Sequence, residues 1–169
     1  CSIILDQVEN GVAIRMSVMY LLASKLRWHG SYSYWKFGFI HWMWSKYYMK
    51  LTILGCLSAA PNKSSFPSAQ ILEIRGSSFL IDCGEGTQIQ LRRCSVKLNS
   101  IEHIFISHLH GDHFYGLIGL INTFKLLGRS VELNIYGPRG IKEVIKLQLK
   151  LSNSWTDFKL FFHELSNSK

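Results

Sequence analysis

Ser107-His108-Leu109-His110-Gly111-Asp112-His113 decides the reading of this chain. Three imidazoles and a carboxylate fall within six positions, directly after the apolar run Ile104-Phe105-Ile106, which reads as a buried strand. Alternation along an extended segment sends His108 and His110 to one side, where they can share one ion. A turn permitted by Gly111 then aims Asp112 and His113 at a second ion. Neutral imidazole nitrogens and carboxylate oxygens are zinc donors, and paired metals serve displacement at phosphorus. Any one of these residues alone would read as a polar loop residue. Four at this spacing read as metal ligands, and Asp112 is in addition the candidate proton acceptor.

Outward from this loop the pattern is regular from Met49 onward. Lys50–Leu54 reads as a strand ending at Gly55, and Ile71–Ile74 with Ser78–Ile81 as a hairpin about Arg75-Gly76-Ser77. Asp82-Cys83-Gly84-Glu85-Gly86-Thr87 breaks the sheet before a short helix at Gln88–Arg93. Strands at Ile104–Ile106, Leu133–Tyr136 and Phe158–Phe162 then alternate with helices at Phe114–Leu127 and Ile141–Leu149. Hairpin strands followed by alternating helices and strands predict α/β layers.

Residues 1–48 differ in texture. They hold four of the five tryptophans, and Trp28, Trp35 and Trp42 recur every seven residues, while Ser31-Tyr32-Ser33-Tyr34 alternates like a strand. The uncharged runs Met16–Ser24 and Phe37–Ser45 fall far short of the roughly 20 residues that span a bilayer. A membrane-surface segment is one reading; a non-native extension ahead of a start at Met49 is the one we adopt, with no membrane partner.

The 169 residues carry 19 Lys and Arg against 11 Asp and Glu, a formal charge of +8. The excess is spread along the chain, so a polyanionic partner is allowed without being demonstrated. Hydrophobic residues at 47% and charged residues at 18% exclude a disordered chain. Cys1, Cys56, Cys83 and Cys94 show no C-x-x-C spacing and read as buried free thiols in a reducing compartment, which points to the cytoplasm.

Three further phrases carry a resemblance: Leu80-Ile81-Asp82-Cys83-Gly84-Glu85-Gly86-Thr87-Gln88-Ile89-Gln90, Gly111-Asp112-His113-Phe114-Tyr115-Gly116-Leu117-Ile118-Gly119-Leu120, and Ile135-Tyr136-Gly137-Pro138. With the histidine loop they resemble the metallo-β-lactamase superfamily and, within it, the ribonuclease Z family. The resemblance runs from about Met49 to the end. It implies a four-layer αββα sandwich of which residues 49–169 form the N-terminal part. It also implies a homodimeric endoribonuclease with two zinc ions per complete chain, one on His108 and His110 and one on Asp112 and His113. The implied substrate is precursor transfer RNA, cut to leave a 3′ hydroxyl. The family completes its metal set with a later histidine, aspartate and histidine. His163 comes too early to be the first of these and reads as structural, so the 169 residues alone are expected to be inactive.

Two alternatives stay open. One keeps the fold and changes the substrate to a small ester, lactone or cyclic phosphodiester; the other is a non-catalytic fragment that at most binds nucleic acid or a partner through basic and aromatic surface. Around the loop, Asp82 reads either as a partner for the second N–H of a ligating histidine or as a turn aspartate capping its own backbone. Gly84 and Gly86 read as allowing close backbone approach, and Thr87 as a cap for the helix that follows. Ser64 and Ser65 read as a solvated loop that could border the phosphate. Arg92, Arg93 and Lys97 read as a solvated helix face or an RNA contact. His103 reads as structural, and His29 and His41 offer no ligand spacing.

Overall fold

Period-2 alternation and the turn at Gly76, whose φ of 83° suits a residue without Cβ, build the first half of the sheet. In the computed structural model, which describes residues 49–57, 63, 65–74 and 76–165, β1 (Met49–Gly55) pairs antiparallel with β2 (Ala69–Ile74). The second strand pairs antiparallel with β3 (Ser77–Ile81). From there the chain alternates: α1 (Thr87–Arg93), β4 (Ile101–Phe105), α2 (Gly111–Phe114), α3 (Gly116–Leu126), β5 (Leu133–Pro138), α4 (Ile141–Leu151) and β6 (Leu160–Leu165). Strands β3 to β6 are mutually parallel, and the six strands lie side by side in chain order. The expected non-native extension at 1–48 lies outside the described residues.

Consecutive right-handed crossovers that all advance in one direction put their helices on one face of a sheet. The burial pattern agrees. Ile71, Leu80, Ile104, Leu133 and Ile135 form one core with Leu91, Leu117, Leu120, Ile121, Phe124, Ile141, Ile145 and Leu149 of the helices. The opposite face carries a smaller cluster, Leu72, Phe79 and Phe105, flanked by Ile74, Ile81 and Tyr136. On that face Leu51 is 54% exposed and Phe161 41%. A four-layer sandwich has two sheets; the described residues supply one sheet and its helix layer. Among them no helix is long and apolar enough to cross a membrane.

Three boundaries depart from the sequence reading. β4 starts at Ile101, so His103 lies within it. The helix expected over Phe114–Leu127 is two, parted at Tyr115, because the Gly116 N–H donates to the Cys83 carbonyl (2.9 Å). Phe158 precedes the last strand: its ring is buried edge-on to Phe124 beneath the Arg129 guanidinium.

Candidate metal centre

Parallel strands bring their carboxyl ends to one edge of a sheet, the usual location of a site in an open α/β layer. Asp82 leaves the end of β3 and Ser107 follows the end of β4, so the two segments are neighbours. The Asp82 N–H donates to the Phe105 carbonyl (2.7 Å) and the Ile106 N–H to the Tyr136 carbonyl (2.8 Å), continuing the ladder to the loop. Asp82 then turns through a left-handed conformation (φ 57°), which aspartate tolerates better than a branched or bulky residue.

That turn buries the Asp82 carboxylate, 2% exposed, among three partners. Oδ1 accepts the Ser107 N–H (2.8 Å); Oδ2 accepts the Ser68 hydroxyl (3.3 Å) and faces His113 Nδ1 (2.8 Å). A carboxylate there holds the proton on Nδ1 and leaves Nε2 as the lone-pair nitrogen. His113 Nε2 lies 3.5 Å from Asp112 Oδ2. Of the two readings of Asp82, the structure therefore realises the bond to a histidine.

The three imidazoles form one cluster. The His108 ring centroid is 3.9 Å from that of His113 and 4.8 Å from that of His110. Ser107 Oγ lies 3.0 Å from His108 Nδ1 and 3.2 Å from His113 Nδ1. Burial, followed by the nearby His113 and His110, pushes the His108 pKa below the ordinary histidine value, while Asp82 and Asp112 pull the other way. The neutral imidazole thus favoured is the form that binds metal. The rings meet edge-on (His108 and His110, 72°) and tilted (His108 and His113, 46°), and among the described residues no three His, Cys, Asp or Glu side chains stand as a finished metal-ligand set. The donor chemistry still fits a metal, with neutral imidazole nitrogens beside a carboxylate and one histidine oriented from behind.

The backbone under the loop is tight. The Cys83 N–H donates to the His113 carbonyl (2.7 Å). A Cβ on Gly84 would strike the Asp112 carbonyl, and one on Gly116 the Gly84 carbonyl, as the close-approach reading of Gly84 anticipates. Other expectations need correction. Gly111 is not a positive-φ turn; it opens α2, with His110 at the N-cap, and a Cβ there would meet the Tyr115 ring. Thr87 does not cap α1; its hydroxyl donates back to the Gly84 carbonyl (2.7 Å), and the N-cap is Gly86 at φ 77°. Of the described cysteines, all free, only Cys83 is buried; Cys56 and Cys94 are exposed.

The remaining candidates stand apart from the cluster. His103 stacks on Phe79 within the sheet, and His163 stacks on Tyr136 and bonds Asn134 (3.0 Å). Arg92, Arg93 and Lys97 are near one another in sequence, with the Arg93 guanidinium over the Phe66 ring. His29, His41 and Ser64 lie outside the described residues.

A family profile described as Anti-Pycsar protein Apyc1 matches residues 49–164. The Ribonuclease Z of Bacteroides thetaiotaomicron is 48% identical over 120 residues, which cover 71% of this chain and 38% of that protein. The Ribonuclease BN of Cronobacter sakazakii is 42% identical over 124 residues, 72% of this chain and 41% of that protein. The crystal structure of the short form of human tRNase Z matches with a TM-score of 0.65 at 40% identity, over 70% of this chain and 46% of that one. The chain thus spans about two fifths of the length of these two sequence relatives.

Proposed function

We propose a function from one premise: the chain belongs to the Anti-Pycsar protein Apyc1 family, carries part of a metallo-β-lactamase fold, and is related to ribonucleases Z. The complete protein is proposed to be a zinc-dependent endoribonuclease that removes the 3′ trailer from precursor transfer RNA and leaves a 3′ hydroxyl. Homodimeric assembly and a cytoplasmic location belong to the same reading. Residues 49–169 would be the N-terminal part of its catalytic domain, and residues 1–48 a separate, non-native extension. The 169 residues alone are proposed to be inactive, because the family's ligand set is larger than the four residues offered here.

His108, His110, Asp112 and His113 would hold the two zinc ions. Bound zinc lowers the pKa of water towards neutrality and offsets charge on a phosphate. The chain's own residues do the rest. Asp82 orients His113 through Nδ1, burial favours the neutral form of His108, and the Asp112 carboxylate would accept the proton given up by the water that attacks the phosphate.

The observation that carries this reading is the buried 2.8 Å contact between Asp82 and His113, which supports a ligating histidine and has no evident use in a plain polar loop. The test is cleavage of a precursor transfer RNA by the complete protein, before and after zinc removal, with His108→Ala and His113→Ala. Zinc-dependent release of the trailer, lost in both variants, is expected. The family description is not a ribonuclease name, so hydrolysis of a small phosphodiester forms the second arm. Turnover there with no RNA cleavage would transfer the reading to a small-substrate phosphodiesterase.

A further inference from the structure

A groove of about 790 Å³ runs along α4, away from the histidine loop. Arg139, Lys142, Lys146 and Lys150 line it, with Leu147 and Trp155 as its apolar part. The spacing follows from the helix: residues four apart stack on one face at about 6 Å intervals, so the three lysines make one cationic rail. Ile141, Ile145 and Leu149 point into the core, which fixes the rail outward.

The chain's return brings an aromatic to the rail. Asn153 adopts φ 48° past the end of α4, and the Ser154 N–H donates to the Leu149 carbonyl (2.9 Å). Lys125 of α3 donates to the Trp155 carbonyl, tying this turn down while the Trp155 side chain leaves the residue 50% exposed. Two carboxylates also line the groove. Glu164 is occupied: its Oε1 accepts the N–H groups of Gly140 (2.9 Å) and Lys142 (3.2 Å) at the start of α4. Glu164 keeps its charge and Glu143 adds another, so two carboxylates oppose four cations and the lining stays net positive.

The groove begins at the site's edge of the sheet. β5 runs parallel to β4, so Arg139 and Gly140 leave the same edge as Ser107. A Cβ on Gly140 would be 3.5 Å from Leu109 Cδ1, inside the histidine loop.

We propose that this groove holds a single-stranded segment of an RNA substrate, with phosphates along Lys142, Lys146 and Lys150 and a base stacked on Trp155. A positive track with an interleaved aromatic is the general device for single strands. A membrane surface fits less well, since it needs a convex apolar face and the apolar side of α4 is buried. The proposal rests on the RNA-processing reading for its substrate class, but its test does not use cleavage.

Binding of a short fluorescein-labelled oligouridylate to the 169-residue chain is followed by anisotropy across a salt series. Lys142→Ala/Lys146→Ala/Lys150→Ala should flatten the plot of log K against log salt by about 2, from roughly 0.7 per phosphate contact. Trp155→Ala should weaken binding roughly tenfold or more, and Trp155→Phe should restore most of it. Arg92→Ala/Lys97→Ala should leave the slope unchanged. An equal loss in the Arg92/Lys97 variant would overturn the proposal, because charge anywhere would then suffice. So would an unchanged slope in the lysine variant, or binding to phosphatidylserine vesicles that needs these lysines while RNA binding does not. Retained groove binding in a protein that cuts no precursor would defeat only the RNA-processing reading.

Discussion

Replacing Asp82 separates the fold from the site, because its two oxygens do different things. Oδ1 serves the Ser107 backbone, whereas Oδ2 serves His113. Asp82→Ala strips both, leaves the buried Ser107 N–H without its acceptor at a cost of roughly 1–3 kcal/mol, and adds about 1–2 kcal/mol for alanine at a positive φ. A loss near 2–5 kcal/mol is expected in urea unfolding. Asp82→Asn keeps the carbonyl toward Ser107 and tolerates the backbone, so it should cost about 1 kcal/mol or less. Its amide, however, donates to His113 Nδ1 and drives that ring's proton to Nε2, the nitrogen offered to a metal. Zinc affinity of the complete protein, measured by competition with a chromophoric chelator, should fall about 10–100-fold. Asn with parental zinc affinity, or Ala as stable as Asn, would refute the division of labour between the two oxygens.

Gly116→Ala forces a methyl group into the Gly84 carbonyl and should destabilise by about 3 kcal/mol, the upper end of overpacking costs, read as a lowered urea midpoint. Burial first, and the Asp82 charge second, push the Cys83 thiol up to about 12 despite a bond from Thr87, so on the order of one molecule in 10⁴ carries the thiolate at pH 8. Disulfide-exchange reagents at that pH should therefore modify Cys56 and Cys94 and spare Cys83 until denaturant is added; mass mapping of a modified native Cys83 would contradict this. Phe124→Ala removes a fully buried ring from under Arg129 and against Phe158 and should cost about 3–5 kcal/mol, checked by thermal unfolding.

The histidine loop and the hairpin were legible because each depends on local signals: ligand types at short spacing, and alternation around a glycine. The strand at Leu133–Tyr136 and the helix from Ile141 followed from apolar periodicity alone. What escaped depends on contacts between distant segments. Sequence leaves Asp82 open between a turn role and a histidine partner, because the choice requires β3 and β4 to be neighbours. The break at Tyr115 is invisible in a continuous apolar run, since its cause is the Cys83 carbonyl reaching Gly116. Cys56 and Cys94 sit beside apolar residues in sequence, yet their exposure is decided by which way a strand end or helix end faces. The signal for the α4 groove was present as Lys142, Lys146 and Lys150 four apart, but a cationic rail becomes distinctive only when Trp155 returns to it.

The side-by-side order of the strands has a consequence for how the sheet comes into being. Among the described residues every strand after the first pairs with the one made just before it, so none of these ladders requires an earlier pairing to reopen. Each parallel ladder still closes across a crossover, from Ser78 to Ile101, His103 to Asn134 and Leu133 to Leu160, so loop-closure entropy is met one crossover at a time and these pairings form more slowly than the hairpin. During synthesis each new β-strand emerges onto a growing template edge, first β2 on β1 and finally β6 on β5. Among the described strands the last-made edge is thus the template for the next, so they can assemble in the order of their translation.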